Sequence, residues 1–273
     1  MNKFSGILIC TDLDGTLYRR DKTISEENLE AIEYFKSRGG YFTFITGRMP
    51  SLSKDVYTKI NPNVPFGCIN GSAIYDHRQE KYLMQIPLDS DVHDLIEHVE
   101  KNIASVGIQV TTFNDIYICR DNPSMERFRR TTGCPYEFRH YRDIKEPLGK
   151  ILFSEENDDN IKLLSELLHS HPLSEKFDFT RSSRTLFEIL PKDVHKGSGL
   201  IRLAELLKVD VNRTIAIGDY ENDIPMLRTA KLAVAVSNAC EAAKKEADII
   251  TVSNEEHAIK KIIDDIDSGK IVI

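Results

Sequence analysis

One pattern, present at both ends of this chain, constrains its fold more than any other. A short run of branched apolar residues stops abruptly at acidic and glycine residues, and a segment with helical periodicity follows. The first such run, Gly6 to Thr11, ends in Asp12-Leu13-Asp14-Gly15-Thr16. An uninterrupted apolar run of this length reads as a strand buried on both faces, as in a parallel sheet. Ser25 then stands as an N-cap before a helical pattern marked by Leu29, Ile32 and Phe35, which stops at Gly39-Gly40. A second buried strand follows from Tyr41 to Ile45. Strand, helix and strand at this spacing form a right-handed crossover unit.

The C-terminal part has the same rhythm. A helix is expected after Lys196, a strand from Thr214 to Ile217, a helix from Asn222 and a strand from Leu232 to Val236, then a short helix, a short strand and a final helix. The expected fold class is α/β, a Rossmann-like, doubly wound and mainly parallel sheet with helices on both faces. Between the two ends the order changes to helix, strand, strand: Asp91 to Ile103, then Ile108 to Phe113 and Ile116 to Arg120. An echo follows at Asn160 to Leu168, Phe177 to Arg181 and Thr185 to Leu190, with an added strand from Lys150 to Phe153. This predicts a discontinuous core of residues 1–83 and 191–273 carrying an inserted α+β domain at 84–190, with joints near Pro87 and Pro191.

Composition narrows the function classes. A chain of 273 residues with 41% apolar content can bury one large or two medium cores, while a net charge of -7 argues against general attraction to a nucleic acid or a membrane surface. Five scattered cysteines (Cys10, Cys68, Cys119, Cys134 and Cys240) form no C-x-x-C pair, so neither a disulfide framework nor a zinc knuckle is expected, and a reducing, cytoplasmic compartment fits. The early apolar stretch is cut by Asp12 and Asp14 and leaves no room for a signal-peptide core, and no later run approaches a bilayer span.

Chemistry concentrates where the strands end. Asp12 and Asp14 can turn into one cleft as the chain leaves the sheet, and paired carboxylates there suit a hard cation such as Mg²⁺. Thr46-Gly47-Arg48 ends the second strand, where a hydroxyl and unpaired N–H groups before a new helix can hold a phosphoryl oxygen. Lys196 opens a helix and offers a compact positive charge to a transferring phosphoryl group; its neighbour His195 reads as structural. Ile217-Gly218-Asp219-Tyr220-Glu221-Asn222-Asp223 repeats the strand-to-acidic-turn theme with more carboxylates than a helix cap requires. Each of the first three motifs alone is as consistent with an ordinary turn or a solvated side chain, whereas the fourth holds more carboxylates than such a turn needs. The combination of all four fits neither.

In this order and setting, D-x-D-G-T at 12–16, T-G-R at 46–48, K-G at 196–197 and G-D-x-x-N-D at 218–223 resemble the haloacid dehalogenase superfamily. The long insertion, with Asn70-Gly71-Ser72-Ala73-Ile74 before it, is similar to the Cof-type subfamily with an α+β cap of type IIB. The resemblance implies a Mg²⁺-dependent phosphatase acting on small phosphorylated metabolites, sugar phosphates foremost, with no nucleic-acid or membrane partner. It implies Asp12 as covalent nucleophile and metal ligand, and Asp14 as acid, then base, and metal ligand through its backbone carbonyl. Leu13, Thr46, Gly47, Lys196 and Asn222 would bind the phosphoryl group, with Lys196 also neutralising developing charge; Asp219 would complete the metal shell and Asp223 support its neighbours. A phosphomutase and a non-catalytic phosphometabolite-binding protein are the alternatives. Tyr220 and the Arg19-Arg20 pair depart from the commonest pattern without removing a catalytic atom, and Arg120, Arg181 and Arg184 read as solvated face.

Overall fold

The computed structural model describes residues 3–273. The chain divides into two compact units, Met1–Met84 with His195–Ile273, and Gln85–Val194.

In the first unit the elements β1 (Leu8–Thr11), α1 (Glu26–Ser37), β2 (Tyr41–Phe44), α2 (Lys54–Ile60), β3 (Phe66–Cys68) and β4 (Ala73–Asp76) follow in chain order, with β5 (Lys81–Gln85) at the junction. Ser25 caps α1, its side chain accepting from the Asn28 N–H, and Ile32 and Phe35 turn the helix's apolar stripe into the core. The strand β1 is buried at every position and lies inside the sheet, with β2 parallel on one side.

The second unit is built on an antiparallel sheet. Its elements are α3 (Val92–Asn102), β6 (Gly107–Thr112), β7 (Ile116–Arg120), α4 (Pro123–Thr132), β8 (Glu137–Phe138), β9 (Leu148–Ser154), α5 (Asp158–Ser170), β10 (Phe177–Ser183) and β11 (Leu186–Pro191). The strand order is β10-β11-β9-β6-β7-β8, antiparallel except for the β7–β8 pair. One face carries the apolar cluster in which Val92, Leu95, Ile96 and Val99 of α3 and Ile161, Leu164 and Leu168 of α5 meet Val110, Ile151, Phe153 and Ile189 of the sheet. The alternate positions point to the other face and include a lysine and a glutamate, Lys150 and Glu188, joined at 2.7 Å and both buried.

The chain then returns to the first unit with α6 (Lys196–Leu207), β12 (Thr214–Gly218), α7 (Ile224–Thr229), β13 (Leu232–Ala235), α8 (Glu241–Lys245), β14 (Ile249–Ile250) and α9 (Ala258–Asp267). The sheet order β14-β13-β12-β1-β2 is parallel at every pairing. The helix α1 packs on α9 and α6 on α7, giving the two helical layers of a doubly wound sheet. Because β1 sits between β2, reached through α1, and β12, reached much later in the chain through α6, the carboxyl ends of these three strands flank the switch point where such folds bind ligands.

Two local expectations change. The helix predicted from Asn222 starts only at Ile224, behind a 3-10 turn over Glu221–Asp223. The Asp223 carboxylate closes that turn by accepting the N–H groups of Asp219 and Tyr220, and Pro225, which has no N–H to give, fits the first turn of the helix behind it. The helix expected directly behind Thr46 begins at Lys54, after a 3-10 turn over Pro50–Ser53, so the Gly47 N–H belongs to a loop rather than a helix N-terminus. Among the described residues no helix is long and apolar enough to cross a membrane.

Candidate active site

The three adjacent strand ends deliver three of the four motifs. Asp12 directly follows β1, Thr46 comes two residues after β2, and Asp219 directly follows β12. The fourth arrives on the first turn of α6, where the His195 side chain accepts from the Ser198 N–H and fixes the start of the helix at Lys196. His195 is therefore a cap.

Lys196 is almost completely buried, and its Nζ donates to Asp12 Oδ1 at 2.5 Å and to Asp223 Oδ1 at 2.6 Å. Asp12, Asp219 and Asp223 each offer a carboxylate oxygen, and the three oxygens lie within 4.8 Å of one another. Three carboxylates thus share one buried ammonium. Burial pushes the Asp12 carboxyl up, and the nearby Asp223 and Asp14 charges add to this against the pull of Lys196, leaving it at about 7. Burial likewise pushes Asp219 up, with Asp223 and Asp12 adding to it, to about 8. Burial works to lower the Lys196 pKa, but the two carboxylates outweigh it and hold the ammonium charged.

These residues fit a hard divalent cation. Asp223 is committed elsewhere, with Oδ1 on Lys196 and Oδ2 accepting from the Asp219 and Tyr220 N–H groups. Asp12 and Asp219 each keep oxygen capacity beyond the bonds they make to Lys196 and to the Thr16 hydroxyl, the latter at 3.0 Å. The all-oxygen donor set and the excess of negative charge are what Mg²⁺ takes. Gly15 keeps the space open: its φ is +86°, and a Cβ there would come within 2.5 Å of Asp219 Oδ2.

Asp14 has a different setting. Arg48 grips it through two bonds, Nε to Oδ2 at 2.9 Å and Nη2 to Oδ1 at 2.6 Å, and Lys22 Nζ donates to Oδ1 at 2.7 Å. Burial raises the Asp14 carboxyl, but the hydrogen bonds and charges of Arg48 and Lys22 outweigh it and hold the group below the usual carboxylate range. Sequence reasoning quoted Arg48 within its motif and gave it no role; Lys22 it missed. The signal available for Arg48 was its place at a neighbouring strand end, where an acid two residues past Asp12 needs a counter-charge. Nothing in the linear pattern marks Lys22.

The proposed phosphoryl-binding groups lie in the same unit. Thr46 is buried and its hydroxyl accepts from the Arg48 N–H at 3.2 Å. The N–H groups of Leu13 and Gly47 have no acceptor among the described residues. Asn222 directs its Nδ2 at Asn70 Oδ1. Outside the site, Arg19 meets His257, Arg120 pairs with Glu100, and Arg181 and Arg184 reach Asp158, so these arginines are engaged locally.

Comparison with known proteins shows which family the chain matches. A family model described as haloacid dehalogenase-like hydrolase matches residues 9–263. A curated relative from Bacillus subtilis, a 5-amino-6-(5-phospho-D-ribitylamino)uracil phosphatase, is 29% identical over 263 residues, covering 94% of this chain and 96% of its own. The crystal structure of a haloacid dehalogenase-like hydrolase from Bacteroides thetaiotaomicron is 24% identical, with a TM-score of 0.80 and coverage of 95% of this chain and 99% of that one. A sugar phosphatase of subclass IIB superposes with a TM-score of 0.84 at 20% identity, over 97% of this chain and 100% of its own, and shows a shared fold.

Proposed function

Because the chain belongs to the haloacid dehalogenase-like hydrolase family, we propose that it hydrolyses small phosphomonoesters, sugar or polyol phosphates foremost, through an aspartyl-phosphate on Asp12. The observation that carries this reading is the buried group in which Lys196 holds Asp12 and Asp223 while Asp219 stands within the same 4.8 Å cluster. A charge-balanced fold has no use for that excess of carboxylates, whereas a site that holds a divalent cation, and through it a phosphate, does.

An Asp12 oxygen attacks phosphorus, the bond from phosphorus to the ester oxygen breaks, and Asp14 gives that oxygen its proton. Asp14 then takes a proton from water, the water oxygen attacks phosphorus, and the bond to Asp12 breaks to release inorganic phosphate. Lys196 fixes the Asp12 carboxylate and balances charge on the phosphoryl oxygens, and the Leu13 and Gly47 N–H groups with Thr46 and Asn222 orient them. Asp12, Asp219 and the Asp14 backbone carbonyl are the groups that would hold Mg²⁺, which when bound offsets the charge of phosphate and carboxylates together. To act as an acid, Asp14 must exchange its Arg48 and Lys22 contacts for the substrate oxygen.

In this reading the first unit is the catalytic core and the inserted unit is the cap that sets specificity. The ribitylamino phosphate in the relative's name supports a polyhydroxylated leaving group. Phosphate release from a panel of phosphorylated metabolites with Mg²⁺, together with acid-quench trapping of a phosphorylated protein, tests the proposal. An isomeric sugar phosphate formed without phosphate release would make the protein a mutase, and tight binding without turnover would make it a binding protein.

A further inference from the structure

The turn that follows β3 is the most strained backbone near the site. Ile69, Asn70 and Gly71 take φ values of +51°, +54° and +95° in succession. A β-branched residue in the left-handed region is a marked outlier, and such strain persists only where the surroundings over-determine it. Here they do. The Ile69 and Asn70 N–H groups donate to the carbonyls of Arg48 and Thr46, at 3.0 and 2.9 Å, so the turn is stitched to both flanks of Gly47. On its other side Gly71 is wedged against the start of α6: a Cβ on Gly71 would lie 2.5 Å from the His195 carbonyl oxygen, next to Lys196.

The strain delivers one side chain. Asn70 is buried, its Oδ1 accepts from Asn222 Nδ2 at 3.4 Å, and its carboxamide lies along Gly47, where a Cβ would stand 3.2 Å from Oδ1 and 3.4 Å from Nδ2. Two chain segments that handle the phosphoryl group in the proposed function, Thr46–Arg48 and Asn222, therefore meet at Asn70, to which that mechanism gives no part, while its neighbour Gly71 meets the third at the start of α6. Resting on that reading, we propose that Asn70 is a positioning residue: its carboxamide, presented by the strained turn, sets the Asn222 carboxamide and the Gly47 backbone for phosphoryl binding. Asn222 has two amide hydrogens, and the Asn70 contact occupies one and orients the other. The 3.4 Å separation is at the long end for a hydrogen bond, so the effect on affinity is modest.

The test is a double-mutant cycle of Asn70→Gly and Asn222→Ala, read as inhibition by inorganic phosphate and as kcat/KM on an aryl phosphate with Mg²⁺. Glycine adopts the positive φ without strain, so Asn70→Gly removes the carboxamide and leaves the turn possible. Each single variant should weaken phosphate inhibition about five-fold, the scale of one hydrogen bond. The double variant should be no weaker than the worse single one, because both remove the same device. Losses that multiply, or phosphate inhibition unchanged in Asn70→Gly, would overturn the proposal. If Asn70→Gly does not fold, Gly47→Ala takes its place, since its added Cβ displaces the Asn70 carboxamide. It should show the same non-additivity with Asn222→Ala, and multiplying losses would again overturn the role of Asn70. A wild-type protein that neither turns over the aryl phosphate nor binds phosphate would sink the phosphohydrolase reading and this inference with it, whereas an active wild type with additive losses sinks the inference alone.

Discussion

Each of the two units buries a lysine against carboxylate, and the two arrangements differ in charge balance. In the inserted unit Lys150 meets Glu188 at 2.7 Å, with side chains 6% and 2% exposed, one ammonium to one carboxylate. In the first unit Lys196 meets Asp12 and Asp223 while Asp219 completes a cluster of three carboxylates. Taking a matched pair out of water costs desolvation and regains it through mutual attraction, so it can be neutral for stability. An unmatched cluster keeps a residual repulsion, which adds to burial in raising the Asp12 and Asp219 carboxyls. A ligand carrying the missing positive charge relieves it. The difference separates a pair that completes a fold from a cluster that requires a partner.

The largest expected effect is on the unmatched cluster. Asp12→Asn should leave the fold intact and reduce turnover to background, because the amide is close in shape yet neither a nucleophile nor an anionic ligand. Steady-state rates beside a circular dichroism spectrum check it. Near-normal activity in a folded variant would end the covalent mechanism.

Removing Mg²⁺ should abolish turnover, with recovery when the ion is returned, and the ion should also change stability in a pH-dependent way. Burial, with the neighbouring carboxylates, raises the folded-state Asp12 and Asp219 carboxyls from the ordinary 3.8 to about 7 and about 8. The folded protein therefore binds more protons than the unfolded chain between about pH 4 and 8, and the contribution of these groups to stability falls as pH rises through that window. A cation that favours the ionised carboxylates opposes this loss. The rise in Tm on adding Mg²⁺ should be larger at pH 8 than at pH 5.5, by scanning calorimetry. An equal rise at both would detach the ion from these carboxylates.

Asp14 should show an intermediate effect. Asp14→Asn is expected to lower kcat/KM on an alkyl phosphate by about 10²–10⁴-fold, the range of general acid–base catalysis, and less on an activated aryl phosphate whose leaving group needs no proton. Equal losses on both substrates would remove Asp14 as the acid.

How much of this was legible beforehand follows from what the linear pattern can carry. Strands buried on both faces announce themselves as apolar runs, so β1, β2 and β12 were readable, and with them the placement of Asp12, Thr46 and Asp219 at strand ends. The α6 start was readable because Lys196 precedes a periodic apolar stripe. The Asp14 clasp was not. Lys22 sits in a turn with φ of +63°, folded back by the Asp21 side chain bonding Thr23, and no periodicity reports such a fold-back. The turn at 221–223 was misread because Asp223 closes it with tertiary consequences that propensity does not see. In the inserted unit α4 went unread: its buried positions include Arg129, which lies over the rings of Tyr136 and Phe138, so its buried side does not read as apolar. Function crowds the core's signals into motifs, while the inserted sheet depends on pairings between distant strands.

The smallest expected effect belongs to the matched pair and tests the comparison directly. Lys150→Met alone leaves the buried Glu188 without its counter-charge, and the loss of one partner from such a pair destabilises by about 3–5 kcal/mol. Glu188→Leu alone should do the same for the stranded lysine. The double variant Lys150→Met with Glu188→Leu removes both charges and both desolvation costs. The flanking residues on that face include Leu152 and Leu190, which accept apolar neighbours. Its stability should return to within about 1 kcal/mol of the wild type, read as the urea midpoint at unchanged slope. No such recovery is expected in the core, where replacing Lys196 together with Asp12 still leaves Asp219 and Asp223 facing each other with no cation. If the Lys150 and Glu188 double variant stayed as unstable as either single one, the inserted pair would not be a simple matched pair, and charge balance would no longer distinguish the two units.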